Sequence, residues 1–346
     1  MVRVNKGGLY SKFKVVDAEV HLGKGLLMRV RGNEILDCNI NSFSRQISKL
    51  NIQHAVCIPA PTYVLKTSKG KEISCLWEKK GKQIIYKKIF ERNDKTISTI
   101  INPCEPYVDM NKNILQMVKH KNETLGKRVF YFAPILHPRL DSPVNIEDFL
   151  NDGLTVAVKV HGISTHCGPS DVPAWVITML KKYDLPIFVH TDTVLSKHSS
   201  TKFEKDIQSV RMMNRARVWA KWAINKHIRM YLAHGAMLDE EAIKIINSSE
   251  NLVTGIGPDA ILDSDTNRIR KLDRKTGYLD RLLGTINHEK VLFSSDFPFN
   301  TLTPETSMRA EWGGKYRVIN AAISSGLGNR EINDILSKNA TKFFRL

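Results

Sequence analysis

The chain has 346 residues, 42% of them hydrophobic, and 52 Lys and Arg against 35 Asp and Glu, a formal net charge of +17. That apolar fraction supports a large core, yet no apolar run reaches the roughly 18 residues that suggest a membrane span. Five scattered cysteines (Cys38, Cys57, Cys75, Cys104, Cys167) without a C-x-x-C pair argue for reduced thiols in a cytoplasmic protein rather than a disulfide framework.

No apolar signal segment is visible in the opening MVRVNKGGLYSKFKVV. The basic excess is densest over 66–95, with ten basic and four acidic residues. Neither a Gly-flanked aromatic motif nor a zinc finger accompanies it, so nucleic acid is not an expected partner. A solvated lysine-rich surface or an anionic small substrate accounts for the charge.

The stretch 15–23, VVDAEVHLG, predicts a first strand. Simple alternation puts Asp17, Glu19 and His21 on one face and Val16, Ala18, Val20 and Leu22 on the other. Three ionisable groups on a buried face call for a compensating cation, whereas on an exposed edge strand they need none. A helix is expected over 41–50 and a second strand over 53–58, stopped by Pro59-Ala60-Pro61. Residues 66–98 break the rhythm. KEISCLWE and KQIIYKKIFE flank Lys79-Lys80-Gly81 and predict a basic β-hairpin inserted after the second strand, as a lid or as surface decoration.

Further along, a helix is expected over 110–122 and a third strand over 129–136, ending in His137-Pro138-Arg139. A fourth strand follows over 154–161, a helix over 174–183, and a fifth strand ending at His190. A long basic helix covers 203–226. Strand six ends at His234, a helix covers 239–247, strand seven is NLVTGIG, and strand eight, KVLFSSD, ends at Asp296. Eight strands with helices between them predict an α/β fold, a (β/α)8 TIM barrel forming one domain over 1–346 with 66–98 inserted.

Glu19, His21, His161, His190, His234 and Asp296 all fall at the C-terminal ends of predicted strands. In such a barrel those ends converge on the catalytic face. Alternation puts Phe188 with His190, Leu232 with His234, and Ser294 with Asp296 on one inward face. A single histidine so placed is as well read as a strand cap; six residues placed alike point to a site. Mixed nitrogen and oxygen donors suit Zn²⁺, Mn²⁺ or Fe²⁺ rather than Ca²⁺.

The motifs D-A-E-V-H-L at 17–22, V-K-V-H at 158–161, F-V-H-T at 188–191, L-A-H-G at 232–235 and F-S-S-D-F-P-F at 293–299 resemble the amidohydrolase superfamily. The likeness is closest to its amidohydrolase-related branch, with aminocarboxymuconate-semialdehyde and resorcylate decarboxylases, and the closing S-K-N-A-T-K-F-F resembles that branch's last helix. The resemblance implies one divalent ion, zinc first with manganese or iron as alternatives, held by Glu19, His21, His190 and Asp296. It implies that His234 is an acid/base beside the substrate, with Asp296 both ligand and proton acceptor. His161 and Arg139 are the candidate substrate-binding residues. Glu19 departs from the commoner histidine, a change found among the branch's decarboxylases. Lys159 stands where binuclear members carry a carbamylated lysine, but its K-V-H context is similar to the mononuclear members. Metal-dependent hydrolysis of a small anionic substrate is the expected activity, with non-oxidative decarboxylation and a non-catalytic metal-binding scaffold as alternatives. A homodimer is left open.

Overall fold

The computed structural model describes residues 11–27, 34–60, 63–66, 72–80, 83–88, 99–100, 107–165, 167–191, 208–256, 278–297 and 315–346. Its strands are β1 (Val15–Leu27), β2 (Glu34–Cys38), β3 (Ile52–Pro59), β4 (Tyr63–Lys66), β5 (Glu72–Lys80), β6 (Gln83–Lys88), β7 (Thr99–Ile100), β8 (Phe130–Phe132), β9 (Ile135–Leu136), β10 (Val158–Val160), β11 (Ile187–Val189), β12 (Met230–Leu232), β13 (Leu252–Ile256) and β14 (Val291–Phe293). One sheet has the order β2-β1-β3-β8 and a second β14-β13-β12-β11-β10-β9. Apart from the antiparallel β1–β2 pair, every pairing in these two sheets is parallel. Two isolated parallel bridges stand at the seams, Val20 with Phe297 and Phe132 with Thr155. A continuous ladder around all eight positions is not formed among the described residues.

The apolar residues sort into two layers, as parallel strands covered on both faces require. Val15, Val158, Val160, Ile187, Val189, Leu232 and Phe293 pack outward with the helices. Val16, Ala18, Tyr131, Phe188, Tyr231 and Leu292 pack inward, joined by Ala340, Phe343 and Phe344 of the C-terminal helix Asn339–Phe344. That helix closes the floor of the inner cluster, with the Phe344 and Tyr231 rings 6.3 Å apart.

The structure revises several sequence expectations. The third strand is split into β8 and β9 around Ala133 and Pro134, since proline cannot donate to a ladder. The fourth is short, and Thr155 makes only a bridge. The helix expected over 203–226 is two helices, Gln208–Met213 and Ala216–Lys226; residues 203–207 lie outside the described residues. The break falls at buried Asn214, whose side chain donates to the Cys167 carbonyl and accepts from the Trp219 indole. Local side-chain bonding of this kind competes with helix continuation. Leu232, expected to face inward, packs outward instead, between the inward Tyr231 and Ala233.

The stretches read as a hairpin are β5 and β6, paired antiparallel from Cys75 with Lys88 to Lys80 with Gln83. With β4 and β7 they make a four-stranded antiparallel sheet. β5 lies beside the short helix Gly162–Thr165 that follows β10.

The helix Val108–Leu125 is tied to the sheet edge by two asparagines. Asn111, fully buried, donates its amide to the Ile135 carbonyl and accepts from the Ile135 N–H, both at 2.9 Å. Asn122 does the same for Phe130 and also accepts from Val129. Asn111→Leu leaves both Ile135 groups buried and unpaired, so it should cost about 2–3 kcal/mol in chemical denaturation. A loss below about 0.5 kcal/mol, the scale of an unremarkable surface change, would show that the helix is held by apolar packing alone.

Candidate metal centre

Glu19 and His21 reach the site because β1 is irregular. The register against β3 shifts between Asp17 and Val20. On the N-terminal side Val16 and Ala18 face the inner cluster; beyond the shift Val20 and Leu22 face the outer one. This is the effect of a β-bulge, which re-aims side chains. The bulge overturns the expectation that Asp17 shares a face with Glu19 and His21. Asp17 instead uses Oδ1 to accept from the Glu19 N–H (3.3 Å) and the Ser295 N–H (2.8 Å), fastening β1 to the chain beyond β14. Burial pushes its carboxyl up to about 7 against those hydrogen bonds.

The same junction positions Asp296. Its N–H donates to the Glu19 carbonyl and the His21 N–H donates to the Phe297 carbonyl. Asp296 is left-handed, with φ 50°. Non-glycine residues adopt this conformation at a cost, and such outliers gather at functional sites.

Glu19, His21 and Asp296 thus converge. One donor atom from each lies within 4.8 Å of the others, and all three residues are buried. His21 Nε2 is 3.3 Å from Glu19 Oε1 and 3.2 Å from Asp296 Oδ1. Lys159 Nζ lies 2.9 Å from the same Glu19 oxygen. Burial alone would raise the Glu19 carboxyl, but the Lys159 ammonium, helped by His21, outweighs it and holds Glu19 below the usual carboxylate range. Burial likewise disfavours the His21 imidazolium, and the hydrogen bonds to Asp296 and Glu19 more than offset it.

Three histidines line the next part of the site. The His161 and His190 rings stack with centroids 4.2 Å apart, and His190 Nδ1 is 2.9 Å from His234 Nε2. Burial drives both His161 and His190 well below the ordinary imidazole range, reinforced by Lys159 for His161 and by His161 for His190. Both rings are therefore neutral, the state in which an imidazole can ligate a metal. His161 Nδ1 accepts from the Ser164 N–H at 3.2 Å, with the Ser164 hydroxyl 2.8 Å away, so its proton sits on Nε2. His234 opens a left-handed turn, φ 58°, that continues through Leu238. That turn, rather than strand alternation, brings His234 to His190.

The six strand-end residues thus gather as Glu19, His21 and Asp296 in one donor cluster and His161, His190 and His234 in a ring array. Arg139 is drawn aside, its guanidinium bound to Asp171 Oδ1 at 3.0 Å through Nε and 2.5 Å through Nη2. Asp17 is singled out by the sequence, but as a partner of Glu19 and His21 on one face and not as the acceptor that ties β1 to Ser295. Ser164 and Ser295 are not singled out; the only sign of Ser164 is its place three residues after His161.

The donor set fits a divalent ion: two carboxylates and an imidazole are borderline-to-hard ligands. Glu19 Oε2 is buried with no hydrogen-bond partner among the described residues, a costly state that a cation would relieve. No helix among the described residues is long and apolar enough to cross a membrane.

Comparison with known proteins gives the same direction. No curated protein matches the chain. Among solved structures it is similar to a probable 2-pyrone-4,6-dicarboxylic acid hydrolase from Acinetobacter baumannii, crystallised with citric acid, at 11% identity and TM-score 0.52, covering 96% of this chain and 99% of that one. It is similar to IDCase from Metarhizium anisopliae at 12% identity and TM-score 0.55, covering 97% and 98%. It is also similar to enamidase, described as a member of the amidohydrolase superfamily, at 14% identity and TM-score 0.50, covering 96% and 67%. At such identities these neighbours establish a shared fold. The amidohydrolase family itself matches over residues 110–346, more than half the chain and all of the site beyond β1, and the chain belongs to that family.

Proposed function

We propose that the chain is a metal-dependent hydrolase in which Glu19, His21, His190 and Asp296 hold one divalent ion, zinc first and manganese or iron as alternatives. The observation that carries the reading is the buried convergence of Glu19, His21 and Asp296 around an unpartnered Glu19 oxygen. A divalent ion at this point supplies Lewis acidity, lowering the pKa of a water toward 7 and polarising a carbonyl oxygen. Asp296 takes the proton of the attacking water. His234, hydrogen-bonded to His190, donates to the leaving nitrogen or oxygen of the cleaved C–N or C–O bond. His161, with its proton on Nε2, is a donor for an anionic substrate oxygen. Arg139 joins it only by leaving Asp171.

The substrate is read as small and anionic, which the basic balance of the chain supports. The full (β/α)8 barrel, residues 66–98 as an insertion in it, the cytoplasmic location and a homodimer as one option belong to the same reading. A second reading, decarboxylation, is favoured by Glu19, at the place where the family resemblance implies histidine as the commoner residue and glutamate among the branch's decarboxylases. There Asp296 delivers its proton to the carbon from which carbon dioxide leaves, and the bonding pair stays on that carbon.

A screen of amides, lactones and unsaturated or aromatic carboxylic acids, with carbon dioxide detection, separates the two reactions; turnover of neither class returns the chain to a binding scaffold. With a substrate found, His234→Asn should keep fold and ion while lowering turnover by about 10²–10⁴-fold. Asp296→Asn should lose more, since it weakens a ligand and removes the proton acceptor. If His234→Asn loses the ion as fully as His190→Ala, the division of roles is wrong. Asp17→Ala should weaken ion binding by about 10–100-fold in chelator competition, because Asp17 holds both Glu19 and the Asp296 segment without donating to the cluster. Unchanged affinity would reduce Asp17 to a scaffold residue.

A further inference from the structure

Lys159 is a wholly buried charged group beside the site that the reaction above does not use. It lies on β10 between the outward-facing Val158 and Val160, its side chain inside and wholly buried. Its Nζ is 2.9 Å from Glu19 Oε1 and 3.6 Å from the centroid of the Phe188 ring on the adjacent strand β11. The ammonium is thus clamped between one carboxylate oxygen and one aromatic face, both parts of the packed interior. Glu19 Oε1 is shared with His21, while Oε2 has no partner among the described residues.

We propose that Lys159 is a built-in counter-cation of the centre, a positioning residue that stands in for an ion before one binds and limits the centre to a single ion. This rests on the metal reading above. Glu19 and Asp296 bring two carboxylates into one buried pocket, each at hydrogen-bonding distance from His21. Without an ion, that charge needs a cation, since an uncompensated buried carboxylate is strongly destabilising. Lys159 supplies it. By holding Oε1, it also leaves Glu19 a single oxygen, Oε2, to offer. An arriving ion must then share Glu19 with a fixed positive charge, so Lys159 stabilises the empty protein and weakens ion binding. The same clamp excludes a second ion. A bridging carbamate would need a carboxyl group added to Nζ, but Nζ has no exposed surface and is packed against Phe188.

The test compares native protein, Lys159→Met and the double variant Glu19→Gln/Lys159→Met, each metal-stripped and with excess zinc. Melting temperature, zinc per chain and intact mass in bicarbonate buffer are the readouts. Native protein should take one zinc and show an unmodified mass. Stripped Lys159→Met should melt lower than stripped native protein, and zinc should raise its melting temperature by roughly 5 °C more than it raises the native value. Chelator competition should give about ten-fold tighter zinc binding in Lys159→Met. The double variant, without charge on either side, should recover stripped stability and lose most of the zinc response. If Lys159→Met can be obtained only with zinc present while the double variant needs none, the conclusion is the same. An equal zinc response, weaker zinc binding, a double variant as unstable as the single one, or a carbamate mass with two zincs per chain overturns the role of Lys159 alone. Native protein that takes no ion sinks the metal reading and this inference with it.

Discussion

Glu19 is a carboxylate removed from water, and the site is built around what answers its charge. Lys159 at 2.9 Å and His21 at 3.3 Å meet one oxygen, and the other has no partner among the described residues. A buried carboxylate survives only with such partners. Each partner comes from a different place in the chain: His21 from the same strand, Lys159 from β10, and Asp296, through His21, from beyond β14. The charge on Glu19 therefore couples the first sheet to the interior strand β10 and to the segment beyond the edge strand β14 of the second. The described bridge between Val20 and Phe297 lies at that junction.

The site depends equally on departures from regular geometry. A regular β1 would place Asp17 with Glu19 and His21 and crowd three ionisable groups together. The bulge turns Asp17 away and gives it a mechanical task, accepting from Glu19 N–H and Ser295 N–H at once. Asp296 and His234 both adopt left-handed backbone, φ 50° and 58°, at the ends of their strands. Such conformations persist only where surroundings over-determine them. Here the surroundings are the hydrogen bond from Asp296 N–H to the Glu19 carbonyl and the contact between His234 and His190.

Much of this was legible in the sequence, because strand-end polar residues stand out against apolar runs. Val158, Val160, Ile187, Val189, Met230 and Val291 mark β10, β11, β12 and β14 plainly, and the histidines and Asp296 follow directly behind them. The helix positions were close for the same reason: apolar periodicity marks a helix wherever one face is buried. What could not be read was whatever depends on local irregularity. The bulge in β1 leaves no mark on an alternating pattern, so alternation alone puts Asp17 on the wrong face. The outward side of Leu232 and the break at Asn214 are set by tertiary hydrogen bonds and packing that no periodicity records. Arg139 looked available in sequence because its partner, Asp171, lies 32 residues away. The pairing of Lys159 with Glu19 spans 140 residues and is likewise visible only in the fold.

The central claim is that Glu19, His21 and Asp296, joined by His190, meet around one divalent ion. Diffraction from crystals of zinc-loaded protein, recorded on both sides of the zinc absorption edge, tests it most directly. The account predicts one anomalous peak per chain, in contact with Glu19 Oε2, His21, His190 and Asp296 together, with Lys159 Nζ still on Glu19 Oε1. No peak in that cluster, a peak held elsewhere, or a pair of peaks bridged by a modified Lys159 would contradict it.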